Sequence, residues 1–177
     1  MTGGTLKRVR YCPGQLLSAD DLSAEQEYFL EKHRRHNRTL HGAGVVSGLE
    51  VSRQKDSVVV QPGLGLNCRG EEISVCEPVE VPFPAGGEEA YLLLSYAEKM
   101  TDPVPAPGEG EGMQFSRVEE SFNLAFEPDN PGSKHRWRRG RLAPCGGSHG
   151  IPLAKLSLRR GRWSVDRRFR PPRVLPR

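Results

Sequence analysis

Histidines and cysteines are the side chains here best suited to hold a metal or attack a substrate. His33 and His36 form an HxxH pair with His41 just beyond. HxxH on a helix can place two ring nitrogens on one face, as a zinc site requires. No carboxylate or cysteine stands at ligand spacing beside them, however, and Arg34 and Arg35 would repel a cation, so no metal site is expected. Cys145 with His149, and Cys68 with Cys76, are weaker pairs whose expected role is that of packed or surface thiols. Serine, histidine and aspartate all occur without a GxSxG elbow, a P-loop glycine pattern, or a GxGxxG opening a helix after a strand. No catalytic residue and no cofactor is therefore assigned, and the chain is expected not to be an enzyme. A small zinc-binding protein or enzyme stays as a rival reading.

A second kind of chemistry lies nearer the C-terminus. Arg136, Trp137, Arg138, Arg139 and Arg141, and then Arg159, Arg160 and Arg162 beside Trp163, interleave arginine with tryptophan. Such a basic patch can grip phosphates and stack on bases, which makes a nucleic-acid-binding module the other rival. Against it stand the lack of a recognition helix or RNP-type motif, and the expectation that Trp163 belongs to the core face of the last strand. Contacts with other protein subunits are the preferred role for this patch.

Charge is divided along the chain. Residues 134–177 carry 14 Lys and Arg against the single acid Asp166, a balance of +13, while the other 133 residues carry 12 bases and 21 acids, a balance of −9. A basic segment of that strength can bind an acidic partner or lie on the acidic part of its own or a neighbouring copy. At 177 residues the chain suits one domain with appendages. The four cysteines show no CxxC pairing and no apolar leader precedes them, so free thiols in a reducing, cytosolic setting are expected. The longest apolar run, around Tyr91–Leu94, is far short of the roughly 20 residues of a membrane helix, so no membrane insertion is expected.

The element that must position the histidines is a helix over 18–41. Ser18 is a good N-cap and Asp21, three residues on, completes a capping box. Acids (Asp20, Asp21, Glu25, Glu27) crowd its start and bases (Lys32, Arg34, Arg35, Arg38) its end, as the helix dipole favours. At 1.5 Å per residue it would be about 33 Å long, enough to span or project from so small a domain. Leu22, Gln26, Phe29, His33, His36 and Leu40 recur at spacings of 4, 3, 4, 3 and 4, the a/d seam of a coiled coil with three polar layers. One reading packs Leu22, Phe29 and Leu40 on the chain's own sheet. The other brings Gln26, His33 and His36 against their copies about a symmetry axis.

Gly42-Ala43-Gly44 suits a helix C-cap and a tight lead into β-structure. Val45–Val51 reads as a strand partnered by Ser57–Gln61, Leu64–Cys68 and Ile73–Val75 as a hairpin, Val79–Pro82 as an edge strand, and Tyr91–Ala97 as the central strand. Residues 100–114 form an acidic Pro/Gly loop with no core-building capacity. Alternation resumes over Arg117–Phe126. After the basic stretch 134–150, Ile151–Leu158 and Trp163–Asp166 close the sheet. The fold class expected is mainly β, short strands throughout in a small antiparallel sandwich or barrel with one long N-terminal helix. The divisions are an arm and turn over 1–17, the helix over 18–41, a β-rich domain over 42–170 and a Pro/Arg-rich tail over 171–177.

Residues 11–26, opening Tyr11-Cys12-Pro13-Gly14-Gln15, resemble the opening of proteins in phage tails and phage-tail-like contractile injection systems. There a helix with an R-x-H-N-x-x-L-H-G-x-G-V-V-x-G-L exit follows, matched here by Arg34 through Leu49. Val58–Gly70 and the pair Ile151–Leu156 and Trp163–Arg168 are similar to recurring elements of tail-fibre and baseplate proteins. The pattern departs at Ala43, where a tryptophan is expected, and in the basic stretch 134–141. The resemblance implies a structural component at the baseplate or fibre-attachment end, assembled in the cytoplasm with other baseplate or tail proteins. It also implies contact with copies of itself, a trimer among the forms expected. Nucleic acid is not an expected partner.

Overall fold

The computed structural model describes residues 7–106, 112–130 and 149–174. Helix α1 (Ala19–His36) begins where the capping box places it. The Asp21 amide donates to Ser18 Oγ at 3.2 Å, and the Ser18 amide donates to Asp21 Oδ2 at 3.0 Å. The Ser18 amide, and the Ser18 hydroxyl at 2.8 Å, both donate to Asp21 Oδ2 and favour the ionised carboxylate, so the Asp21 acid is held below its ordinary value. The helix does not run to its end in α form. Asn37–His41 is a π turn, closed when the Gly42 amide donates to the Asn37 carbonyl at 3.0 Å, with Gly42 at φ +82° as the terminator.

Ten strands follow among the described residues: β1 (Gly44–Gly48), β2 (Val51–Arg53), β3 (Ser57–Val60), β4 (Gly63–Leu66), β5 (Glu72–Val75), β6 (Val79–Pro82), β7 (Glu89–Pro105), β8 (Met113–Glu127), β9 (Ile151–Arg159) and β10 (Arg162–Val165). They make three antiparallel sheets, ordered β1-β4-β5, β2-β3-β6 and β10-β9-β7-β8. The mainly β class with a long N-terminal helix is as expected, and one sheet curls as a half-barrel. The sheets close on one apolar core of Val45, Leu49, Val58, Val60, Ile73, Val75, Leu92, Leu94, Ile151, Leu156 and Trp163.

Three expectations about the strands need correction. Val45–Val51 is not one strand. Gly48 and Leu49 both adopt φ +61°, and a Cβ on Gly48 would lie 2.0 Å from the Pro62 carbonyl. Two successive left-handed residues turn the chain out of one sheet and into the next, so β1 pairs with β4 while β2 pairs with β3. Nor is 100–114 a loop throughout, because β7 continues to Pro105 and β8 starts at Met113, with Pro103 opposite Phe115. Beyond Leu94 the β9 register stops, and among the described residues β7 pairs there with β8 alone. Proline is tolerated at the edge of such a pair. At 17 and 15 residues these two strands are long, against the expectation of short ones throughout.

The cysteine expectation holds only in part. Cys12 and Cys76 are free and exposed, whereas Cys68 is disulfide-bonded. Cys145 lies outside the described residues. The C-terminal segment lies against β1: the Val45 amide donates to the Pro172 carbonyl at 2.8 Å, and the Val174 amide donates to the Val45 carbonyl at 3.0 Å.

Candidate functional site

No residue of α1 is fully buried. Arg34 of α1, with Asn37 and Arg38 of the π turn, makes a polar stripe whose three members each have a partner on the β-domain. The Asn37 side chain, 4% exposed in the π turn, donates to the Gly70 carbonyl at 3.0 Å and to Glu72 Oε1 at 3.2 Å. Arg38 donates to the Arg69 carbonyl at 2.7 Å and to Glu31 at 2.8 Å. Arg34 reaches Glu71 at 3.6 Å and Glu98 at 3.5 Å and lies 5.9 Å from the centre of the Tyr96 ring. The Tyr96 hydroxyl donates to Glu98 at 2.9 Å and Glu120 at 3.2 Å. Burial, then the Glu98 hydrogen bond, pushes that hydroxyl well above its ordinary value, and it stays protonated.

The receiving surface is the turn between β4 and β5. Asn67, 1% exposed, organises it: its Oδ1 accepts from the Arg69 amide at 2.9 Å and the Glu71 amide at 3.1 Å, and its Nδ2 donates to Glu71 at 2.7 Å. Gly70 in that turn sits at φ +84°, so close to the helix that a Cβ would lie 2.0 Å from the Arg34 carbonyl. The backbone of the turn and the backbone of the helix are in contact.

With its polar stripe turned inward, α1 presents the heptad seam to solvent. Leu22 is 51% exposed, Phe29 54% and Leu40 37%. The reading that packs these three on the chain's own sheet is therefore overturned. Gln26, His33 and His36 are exposed on the same seam, and Leu30 beside it is exposed as well. Two shallow depressions flank it, one lined by Gln26, Phe29, Leu30 and His33 and the other by Phe29, His33, His36, His41 and Glu72. All six predicted seam residues are thus exposed.

Among the described residues no group of three or more His, Cys, Asp or Glu is arranged to hold a metal ion. The two histidines that converge are not the HxxH pair, because His36 and His41 approach with Nε2 atoms 3.3 Å apart. His33 instead turns to Glu72 at 3.3 Å. Sequence reasoning missed the His36–His41 pair because residues five apart diverge on an α-helix and align only across a π turn.

The basic patch is seen only in part. Arg159, Arg160 and Arg162 are exposed around the turn between β9 and β10, whereas Arg136, Trp137, Arg138, Arg139 and Arg141 lie outside the described residues. Trp163 faces the core as expected, 8% exposed, stacked 6.5 Å from Phe83, with Arg53 donating to its carbonyl at 2.8 Å. No helix among the described residues is long and apolar enough to cross a membrane.

No known protein-family profile matches the chain. No curated protein matches its sequence. Solved structures do match its fold. A chain of the type VI secretion TssK–TssF–TssG baseplate subcomplex, seen by cryo-electron microscopy, aligns with a TM-score of 0.52 over 94% of this chain and 62% of that one, at 12% identity. A chain of the type VI secretion baseplate complex gives 0.54 over 96% and 60%, at 13% identity. The crystal structure of TssK gives 0.57 over 96% and 43%, at 11% identity. The chain spans less than two thirds of the length of each, and at these identities the likeness is one of fold.

Proposed function

We propose that this chain is a structural, non-enzymatic component of a phage-tail-like contractile injection particle, at the baseplate or fibre-attachment end, acting through protein–protein assembly. One observation carries this reading: a long helix docked to its own domain by a polar stripe, with Leu22, Phe29, Leu30 and Leu40 left facing solvent. Burying side chains of this kind contributes about 2 kcal/mol each, so an unpartnered face of four is a standing drive to associate. The shared fold with chains of type VI secretion baseplates supports the setting, and the resemblance of residues 11–49 to tail proteins supports it independently.

In this reading residues 18–41 are the assembly element and 42–170 the domain that holds it. The occupants of the seam are copies of the chain and other baseplate proteins, and the exposed arginines at 159, 160 and 162 add electrostatic docking to acidic neighbours. The experiment is to fractionate tail-like particles from the producing cell and seek this chain in them by mass spectrometry, with negative-stain microscopy of the same fraction. Enrichment with the particles is expected. Recovery only as a free monomer would overturn the reading.

A further inference from the structure

His36 and His41 approach ring to ring at the C-terminal end of the helix. The Nε2 atoms are 3.3 Å apart and the ring centres 5.2 Å apart. A head-on N–H···N contact of that length would put the centres about 5.6 Å apart, because each centre lies about 1.15 Å behind its nitrogen. The shorter separation means that the rings are not collinear, and their planes cross at 53°. Two imidazole nitrogens bound to one tetrahedral zinc at about 2.0–2.1 Å stand roughly 3.3–3.4 Å apart, the separation found here.

Both rings are exposed. The neighbouring charge is mixed but not forbidding. Glu72 contributes a carboxylate to the same depression, and the ammonium of Lys32, which also lines it, is 5.8 Å from the centre of the Tyr28 ring. One chain supplies two ligands, and a tetrahedral site needs four. His36 is itself a seam residue, so copies meeting side by side along the seam would bring their His36–His41 pairs to the same level of the axis.

We propose that His36 and His41 form half of a zinc-type divalent cation site, completed by the same two histidines of a second copy. The proposal rests on the seam reading above and adds a metal bridge at its C-terminal end. Copies arranged antiparallel would separate the pairs, so the metal would also fix the helices as parallel.

The test uses the full chain without a histidine tag, in a Cys12→Ser, Cys76→Ser background that removes the free thiols, stripped with a chelator and then titrated with zinc chloride. Sedimentation equilibrium is expected to show zinc-promoted association, with one metal per two chains by atomic absorption. Cobalt(II) is expected to give the visible absorption of a tetrahedral nitrogen site. His36→Ala and His41→Ala should each weaken metal uptake at least tenfold with an unchanged circular dichroism spectrum, while His33→Ala should not. Metal uptake unaltered in the His36→Ala, His41→Ala double variant would overturn the site, as would one metal per chain on a monomer. An oligomer that forms in chelator and ignores zinc would overturn the metal site and leave the seam standing. A chain that stays monomeric with and without zinc would overturn both.

Discussion

The Asn37 side-chain amide donates to the Gly70 carbonyl at 3.0 Å, joining the π turn to the β4–β5 turn across 33 residues of sequence. The bond is buried, and Glu72 accepts the second proton at 3.2 Å. This contact, rather than apolar packing, holds the end of α1 to the domain.

Removing it should loosen the helix. Asn37→Leu strands the Gly70 carbonyl without its donor, which costs about 1–3 kcal/mol. Gly70→Ala should act from the other side, since its Cβ would collide with the Arg34 carbonyl at 2.0 Å in a backbone conformation that only glycine adopts readily. Chemical denaturation checks the stability loss. Hydrogen exchange should show the helix released while β7 stays protected; a helix as protected as in the parent would contradict the anchoring role.

Phe29→Asp separates assembly from folding. The ring is 54% exposed in the isolated chain, so the stability change should stay within about 0.5 kcal/mol, as for ordinary surface substitutions. Association is where the loss should appear, because a carboxylate in the middle of a seam would be buried without a partner. Incorporation into particles should fall to background by mass spectrometry. Normal incorporation would show that the seam is not the assembly surface.

The capping box predicts an acid-sensitive helix start. The Asp21 carboxyl is held below its ordinary value of 3.8 by its bonds to Ser18. Its contribution is present above the unfolded value and is lost as pH falls through the lower folded one. Helicity by circular dichroism should therefore be steady from neutral pH down to the ordinary carboxylate range and fray below it. Ser18→Ala should lower helix stability by about 1 kcal/mol at neutral pH.

Trp163 tests the nucleic-acid rival. It lies in the core against Phe83, so Trp163→Ala should cost about 3–5 kcal/mol through lost packing and the cavity left behind. Filter binding of the parent chain to DNA and RNA across a salt series should show retention only at low salt, the behaviour of exposed arginines without base stacking. Tight binding that persists at physiological salt would revive that reading.

What could be read from the residues alone came from local physics. Ser18 and Asp21 set the helix start because a cap involves only neighbours three residues apart. The runs Val58–Val60, Leu92–Leu94 and Ile151–Leu156 marked core strands because their apolar content leaves them little alternative. Gly42 marked the helix end because a left-handed residue is needed there. The same local signals paired β4 with β5 but ran β1 and β2 together as one strand, and the turn at Gly48–Leu49 assigned those two to different sheets.

The chain by itself thus determined the 4, 3, 4, 3, 4 spacing from Leu22 to Leu40, since periodicity records which side chains an α-helix sets on one face. Only the tertiary structure decided where that face points. Arg34, Asn37 and Arg38 find their partners on the β4–β5 turn and on acids at 31, 71, 72 and 98, and those contacts turn the opposite, apolar side of the helix to solvent. The pairing of His36 with His41 was decided in the same way, because one π turn rotates two side chains together that an α-helix would hold apart.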